Sequence, residues 1–185
     1  MLIGLFVILA VLAMLAIGLY NRLVKLRNNR ENAFADIDVQ LKQRLDLVPQ
    51  LVEAVKAYMK HESTVLTEIT KARAAAMNAT GINEKIAADA SLTSALQGLR
   101  VAVEAYPDLK ASQNFIQLQE EISDIENKLA AARRFFNSAT RELNNAVETF
   151  PSNIMAGMFG FRRETMYDLG TDQRARAEET PKLNF

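Results

Sequence analysis

The chain opens with twenty residues, MLIGLFVILAVLAMLAIGLY, that carry no ionisable side chain and show no polar face. As a helix rising roughly 1.5 Å per residue, this stretch is about 30 Å long, the thickness of a hydrocarbon core. It predicts a single transmembrane anchor over 1–20. The competing reading, a cleaved signal peptide, lacks its marks: no basic residue precedes the apolar run, the run is too long, and no small-x-small site precedes Tyr20.

Beyond Tyr20 the apolar positions step by threes and fours through Leu23, Leu26, Phe34, Ile37, Leu41, Leu45, Val48, Val52, Val55, Met59, Leu66 and Ile69. That is the coiled-coil spacing of a helix packed lengthwise on another, and it predicts a first long helix over 21–78. Pro49 lies inside the run, removing a backbone donor and crowding the preceding turn. Because the apolar phase carries through it, the expectation is a kink at Pro49; the alternative is a full break at Asp46–Pro49. Asn78-Ala79-Thr80-Gly81 supplies stop chemistry, and Asn83 is a candidate cap for a second helix over 84–104, which ends before Tyr106-Pro107. A third helix over 112–150 carries Phe115, Leu118, Ile122, Ile125, Leu129, Phe136, Leu143 and Val147 at the same period until Pro151 closes it. Residues 151–185 lose the period and form a C-terminal segment with an apolar patch and room for one short helix.

Three striped helices cannot stand alone in water, so residues 21–150 must form a helical bundle. A first helix longer than the second leaves part of its seam uncovered within one chain, which predicts a homo-oligomer. The fold class is all-α.

Composition narrows the chemistry. There are 22 Lys+Arg against 22 Asp+Glu, a single His and no Cys. A net charge of zero with interspersed signs speaks against nucleic acid as a partner. Without cysteine, thiolate metal sites and thiol nucleophiles drop out. His61-Glu62 begins like a zinc-protease helix, but Val65 stands where the second His belongs. The dispersed glycines form no phosphate loop. The sequence therefore predicts no catalytic residue, cofactor or metal, and no enzyme.

Four cations, Arg22, Lys25, Arg27 and Arg30, follow the span closely. By the Lys/Arg count they hold residues 21–185 in the cytoplasm, making a single-pass membrane protein; with Tyr20 they are the predicted membrane-interface residues, lipid being one partner. Asp36 and Asp38 sit on different helical faces and suit ion pairing across helices. Glu126, Arg133, Asn137 and Asn144 flank the third seam, where polar groups fix register, with Arg44, Asp46, Glu53 and Lys56 as candidate partners. Met155, Met158, Phe159 and Phe161 form a candidate interaction patch, read either as a grip on a partner or the membrane surface, or as a plug over the bundle end.

The run LYNRLVKLRNNRENAFADIDVQLKQRLDLVPQLVEAVKAYMKHE, the later AYPDLKASQNFIQLQEEISDIENKLAAARRFFNSATRELNNAVETFPSN, an FGF and a terminal P-x-x-x-F closely resemble the LemA family of bacterial membrane proteins. Positions matching the family pattern include Asn32, Phe34, Asp36, Asp38, Gln40, Arg44, Pro49, Tyr58, Pro107, Phe115, Glu126, Arg133, Asn137, Pro151 and Phe161. The resemblance implies an N-terminal membrane helix continuing into an antiparallel four-helix bundle, its short fourth helix in the C-terminal region. It carries no catalytic residues. The span, the neutral surface and the long seams predict a self-associating scaffold that organises membrane or other proteins, and the resemblance implies an association of relatives with magnetosome membranes; the alternative, implied by the family's gene proximity to a membrane zinc protease and by the FGF patch, is a regulatory accessory of such a protease. Tyr167 stands where the family commonly shows Phe.

Overall fold

The computed structural model describes residues 2–59 and 62–167. These form six helices and no strand: α1 Leu2–Lys56, α2 Ser63–Asn78, α3 Ile82–Val103, α4 Pro107–Lys110, α5 Gln113–Glu148 and α6 Ser152–Met158. The chain divides into two compact units, Asp36–Ala131 and Met1–Ala35 with Ala132–Phe185. Each buries one arginine of α1, and we call them the Arg44 unit and the Arg30 unit.

The Arg44 unit is built from helical segments of α1, α2, α3 and α5. Val48, Leu51, Val55 and Met59 meet Ile69 of α2, Leu92, Leu99 and Val103 of α3, Leu109 of α4, and Phe115 and Leu118 of α5 in one apolar core. The three-residue connection between α2 and α3 makes them an antiparallel hairpin. Asp38 pairs with Lys85, and Arg44 with Asp89 further on, so α1 and α3 run the same way.

Two features here correct the sequence reading. The helix expected over 21–78 is two helices, and the break falls at Ala57–Glu62, well past Pro49. The amides of Tyr58 and Met59 both donate to the Val55 carbonyl, closing the last turn of α1. The seam 52, 55, 59 would continue at 62, but Glu62 stands there, whereas folding back places Ile69 in the same core. Pro49, by contrast, lies within an uninterrupted α1. Its missing N–H orphans the carbonyl of Leu45, four residues earlier, and the Arg73 Nε of α2 donates to that oxygen at 2.9 Å. The cap expected at Asn83 is also elsewhere. Helix α3 starts at Ile82, and Glu84 reaches back to accept from the amides of Thr80 and Gly81 at 3.0 and 3.4 Å and from the Thr80 hydroxyl at 3.1 Å. Those three donors, the Thr80 amide foremost, hold the Glu84 carboxyl below its ordinary range.

In the Arg30 unit α1 and α5 pack antiparallel, since contacts pair Arg30 with Thr140 and Phe34 with Phe136, and Leu23 clusters with Ala146. Ala156 of α6 completes that cluster, with Leu26, Val147, Met155 and Phe161 around it. Helix α6 ends in a Schellman turn: Gly160 takes φ 73°, and the Phe161 amide donates to the Ala156 carbonyl at 2.9 Å. Leu23, Ala33 and Phe34 are all buried within one chain, so the uncovered seam expected on this part of α1 is filled. The N-terminal part of α1 is different. It is long and apolar enough to cross a membrane, and none of that stretch is buried.

Candidate functional site

Leu23, Arg30, Ile37, Arg44 and Leu51 recur every seven residues on α1 and are all buried. Two arginines thus occupy core positions of one heptad-spaced column, and each organises a polar site.

In the Arg44 unit, Arg44 is 2% exposed and faces Asp89, also 2% exposed. Its Nη1 donates to Asp89 Oδ1 and to Thr93 Oγ1, both at 2.9 Å, and its Nη2 to Glu126 Oε1 at 2.9 Å. One guanidinium therefore ties α1 to α3 and α5. A buried charge pair of this kind contributes little net stability but is costly to break from one side. Beside it lies a groove of about 260 Å³ whose lining includes Asp38, Lys42, Leu45, Arg73, Lys85 and Asp89. Asp36, Asp46, Glu53 and Lys56 are exposed.

In the Arg30 unit, Arg30 donates from Nε to Thr140 Oγ1 at 3.2 Å and from Nη2 to the Thr165 carbonyl at 3.3 Å, pairs with Glu164 at 3.3 Å, and stacks over Phe136 at 4.9 Å. Burial pushes its guanidinium below arginine's ordinary range, and the Glu164 and Glu31 carboxylates pull it back. This corrects the placement of Arg30 among the membrane-interface residues. It lies seven residues from Leu23, on the inward face. Counting by sevens from Leu23 through Ile37 is the signal that finds it.

Arg30 helps hold the non-helical segment 161–167, and two asparagines of α5 do the rest. Asn137 donates from Nδ2 to the Tyr167 carbonyl at 2.9 Å and accepts from the Tyr167 amide at 2.7 Å. Asn144 makes the same pair of bonds with Glu164, at 2.9 and 2.8 Å. Seven residues of helix rise about 10.5 Å and three residues of extended chain about 10 Å, so the two amides match a chain running against α5. Tyr167 is buried, edge-on to Phe136, under Arg133 at 4.7 Å.

The interaction patch divides. Met155 and Phe161 are half-buried against the Leu23 cluster, whereas Met158 and Phe159 are exposed. The Tyr20 ring lies 4.7 Å from Phe159 and 6.2 Å from Phe161, and Arg27 sits over Phe161 at 5.3 Å. Arg22, Lys25 and Arg27 are exposed. Among the described residues no group of three or more His, Cys, Asp or Glu could hold a metal; His61, the terminal P-x-x-x-F and the stretch from Asp168 to Thr180 lie outside them.

Comparison with known proteins gives the following. A family model described as LemA family matches residues 33–185. The chain is 29% identical over 144 residues to Protein LemA of Metamycoplasma hominis, covering 76% of this chain and 64% of that one. It is 28% identical over 78 residues to Magnetosome protein MamQ of Magnetospirillum gryphiswaldense, covering 42% and 29%. Against Magnetosome protein MamQ 2 of Paramagnetospirillum magneticum the identity is 26% over 96 residues, covering 52% and 34%. The chain thus spans less than two thirds of the length of these relatives.

Proposed function

The chain belongs to the LemA family as a membrane-associated, all-helical member, and from that premise we propose that it is a membrane-anchored scaffold that associates with itself. One observation carries the reading. The apolar stretch of α1 continues, with no linker, into the positions from Leu23 onward that are locked into the core of the Arg30 unit. An anchor that is itself a core helix of the body fixes that body's attitude to the bilayer, which suits an organiser and is unnecessary for a tethered enzyme. The buried polar groups support the same reading, because Arg30, Arg44, Asn137 and Asn144 spend their bonds on the fold.

Self-association runs through the span, whose side chains are bare, since Leu23, Phe34 and Ile37 are already covered by their own chain. The Lys/Arg count after the span supports a body on the cytoplasmic side of the inner membrane. The chain has no native cysteine, so a single A13C substitution permits site-specific cross-linking in intact membranes. Dimers or larger species are expected. Monomer alone, together with monomeric mass from native-membrane extracts, overturns the scaffold, and a stoichiometric protease in those extracts favours an accessory role instead.

A further inference from the structure

Helix α6 is built inside out for a helix facing water. Its small residues, Ser152 and Ala156, are the buried ones, while Ile154 and Met158, spaced by four and therefore on one face, are 54% and 72% exposed, and Phe150 in the turn before the helix is 80% exposed. Water would penalise that arrangement, and an apolar medium would favour it.

The surroundings say which medium. The Phe159 ring rests 4.7 Å from Tyr20, the residue at which the apolar run of α1 ends. Ala156 packs in one cluster with Leu23, one helical turn further along α1. A bilayer crossed by residues 1–20 therefore has its interface at the level of α6, where tyrosine and phenylalanine rings are at home. The polar residues agree: residues 21–31 and 148–165 hold six Lys or Arg against three Glu. Two of those acids are engaged, Glu148 with Arg163 at 2.7 Å and Glu164 with Arg30 at 3.3 Å. Arg22 and Lys25, just after Tyr20, and Arg162, next to Phe161, are exposed.

We propose that α6 and the turns flanking it form a second membrane contact, a foot that inserts Phe150, Ile154, Met158 and Phe159 into the headgroup region of the bilayer that α1 crosses, with the exposed cations on anionic lipid. The proposal rests on residues 1–20 spanning that bilayer. The foot fixes the roll of α1 about its own axis, which a lone span leaves free.

The test uses the full chain with a single cysteine, labelled with an environment-sensitive fluorophore, in vesicles carrying lipid-attached quenchers at the headgroup level. Labels at M158C and I154C are expected to be quenched by roughly threefold more than one at F135C, an exposed position further along α5, and the excess should grow with anionic lipid and shrink with salt. A label at L9C reports the span itself. If L9C is shielded by lipid while M158C and I154C behave like F135C, the foot is wrong and the anchor stands. If L9C is not shielded, the anchor fails and the foot falls with it. Shielding of M158C that persists in detergent without lipid means a protein contact and also overturns the proposal.

Discussion

The Arg44 unit and the Arg30 unit bury an arginine from the same heptad column of α1, yet they surround it with different material. In the first, five helices supply an apolar core, and along α5 one buried column carries Leu118 and Ile125. In the second, the same column of α5 continues as Ala132, Ala139 and Ala146, and the unit has two long helices. Small residues let two helices approach closely but leave little apolar area to bury. The Arg30 unit compensates with directed bonds: a two-way amide clamp at each of Asn137 and Asn144, and a guanidinium shared among Thr140, Glu164 and the backbone of Thr165. A charge in an apolar core is a liability whose partners must be kept, whereas a charge at a thin two-helix interface is itself building material.

The largest effect should come from breaking the first arrangement from one side. R44A removes the guanidinium that bonds Asp89, Thr93 and Glu126 inside the core and is expected to cost about 3–5 kcal/mol, read from denaturant unfolding of the full chain in detergent. Replacing both, as R44M with D89L, should recover most of that. If R44A alone is neutral, Arg44 is not holding the core.

Smaller and more local effects are expected in the Arg30 unit. N137A or N144A strands one backbone N–H and one carbonyl, at about 1–3 kcal/mol each, and hydrogen exchange should speed up at Tyr167 or Glu164 respectively while amides of the Arg44 unit stay protected. Uniform acceleration through both units would erase the distinction drawn above.

The α1 proline offers a finer test. R73A removes the donor to the Leu45 carbonyl and should cost about 1 kcal/mol, but almost nothing in a P49A background, where residue 49 regains its own N–H. Equal losses in both backgrounds would show that Arg73 acts otherwise.

The smallest effect is titratable. Because Glu84 ionises below its ordinary range of about 4.3 when folded, its contribution is complete above that value and is lost as pH falls through the lower folded value. Protection of the Thr80 and Gly81 amides, relative to their intrinsic exchange at each pH, should fall as pH drops through the lowered Glu84 value, and E84Q should flatten that response.

Much of this architecture was legible in the sequence, and the misses have causes. The apolar phase of α3 and α5, the stop at Asn78 and the bare leading helix follow from spacing alone. The break after Lys56 did not, because the stripe loses only one member, Glu62, and a single polar residue in a seam is common. Asn137 and Asn144 stand out as polar residues seven apart, but what they grip is backbone, which has no sequence signature. Arg30 looked like a topology signal because it follows three other cations, and only its heptad step reveals the inward face.

The two asparagines act as a gauge of chain length. Between their grips at Glu164 and Tyr167 lie Thr165, held through its carbonyl, and Met166. Exchanging either residue for another leaves the fit intact, whereas inserting or deleting one throws a grip out of step. Natural variation along this strip should therefore accumulate as changes of letter, with gaps kept out.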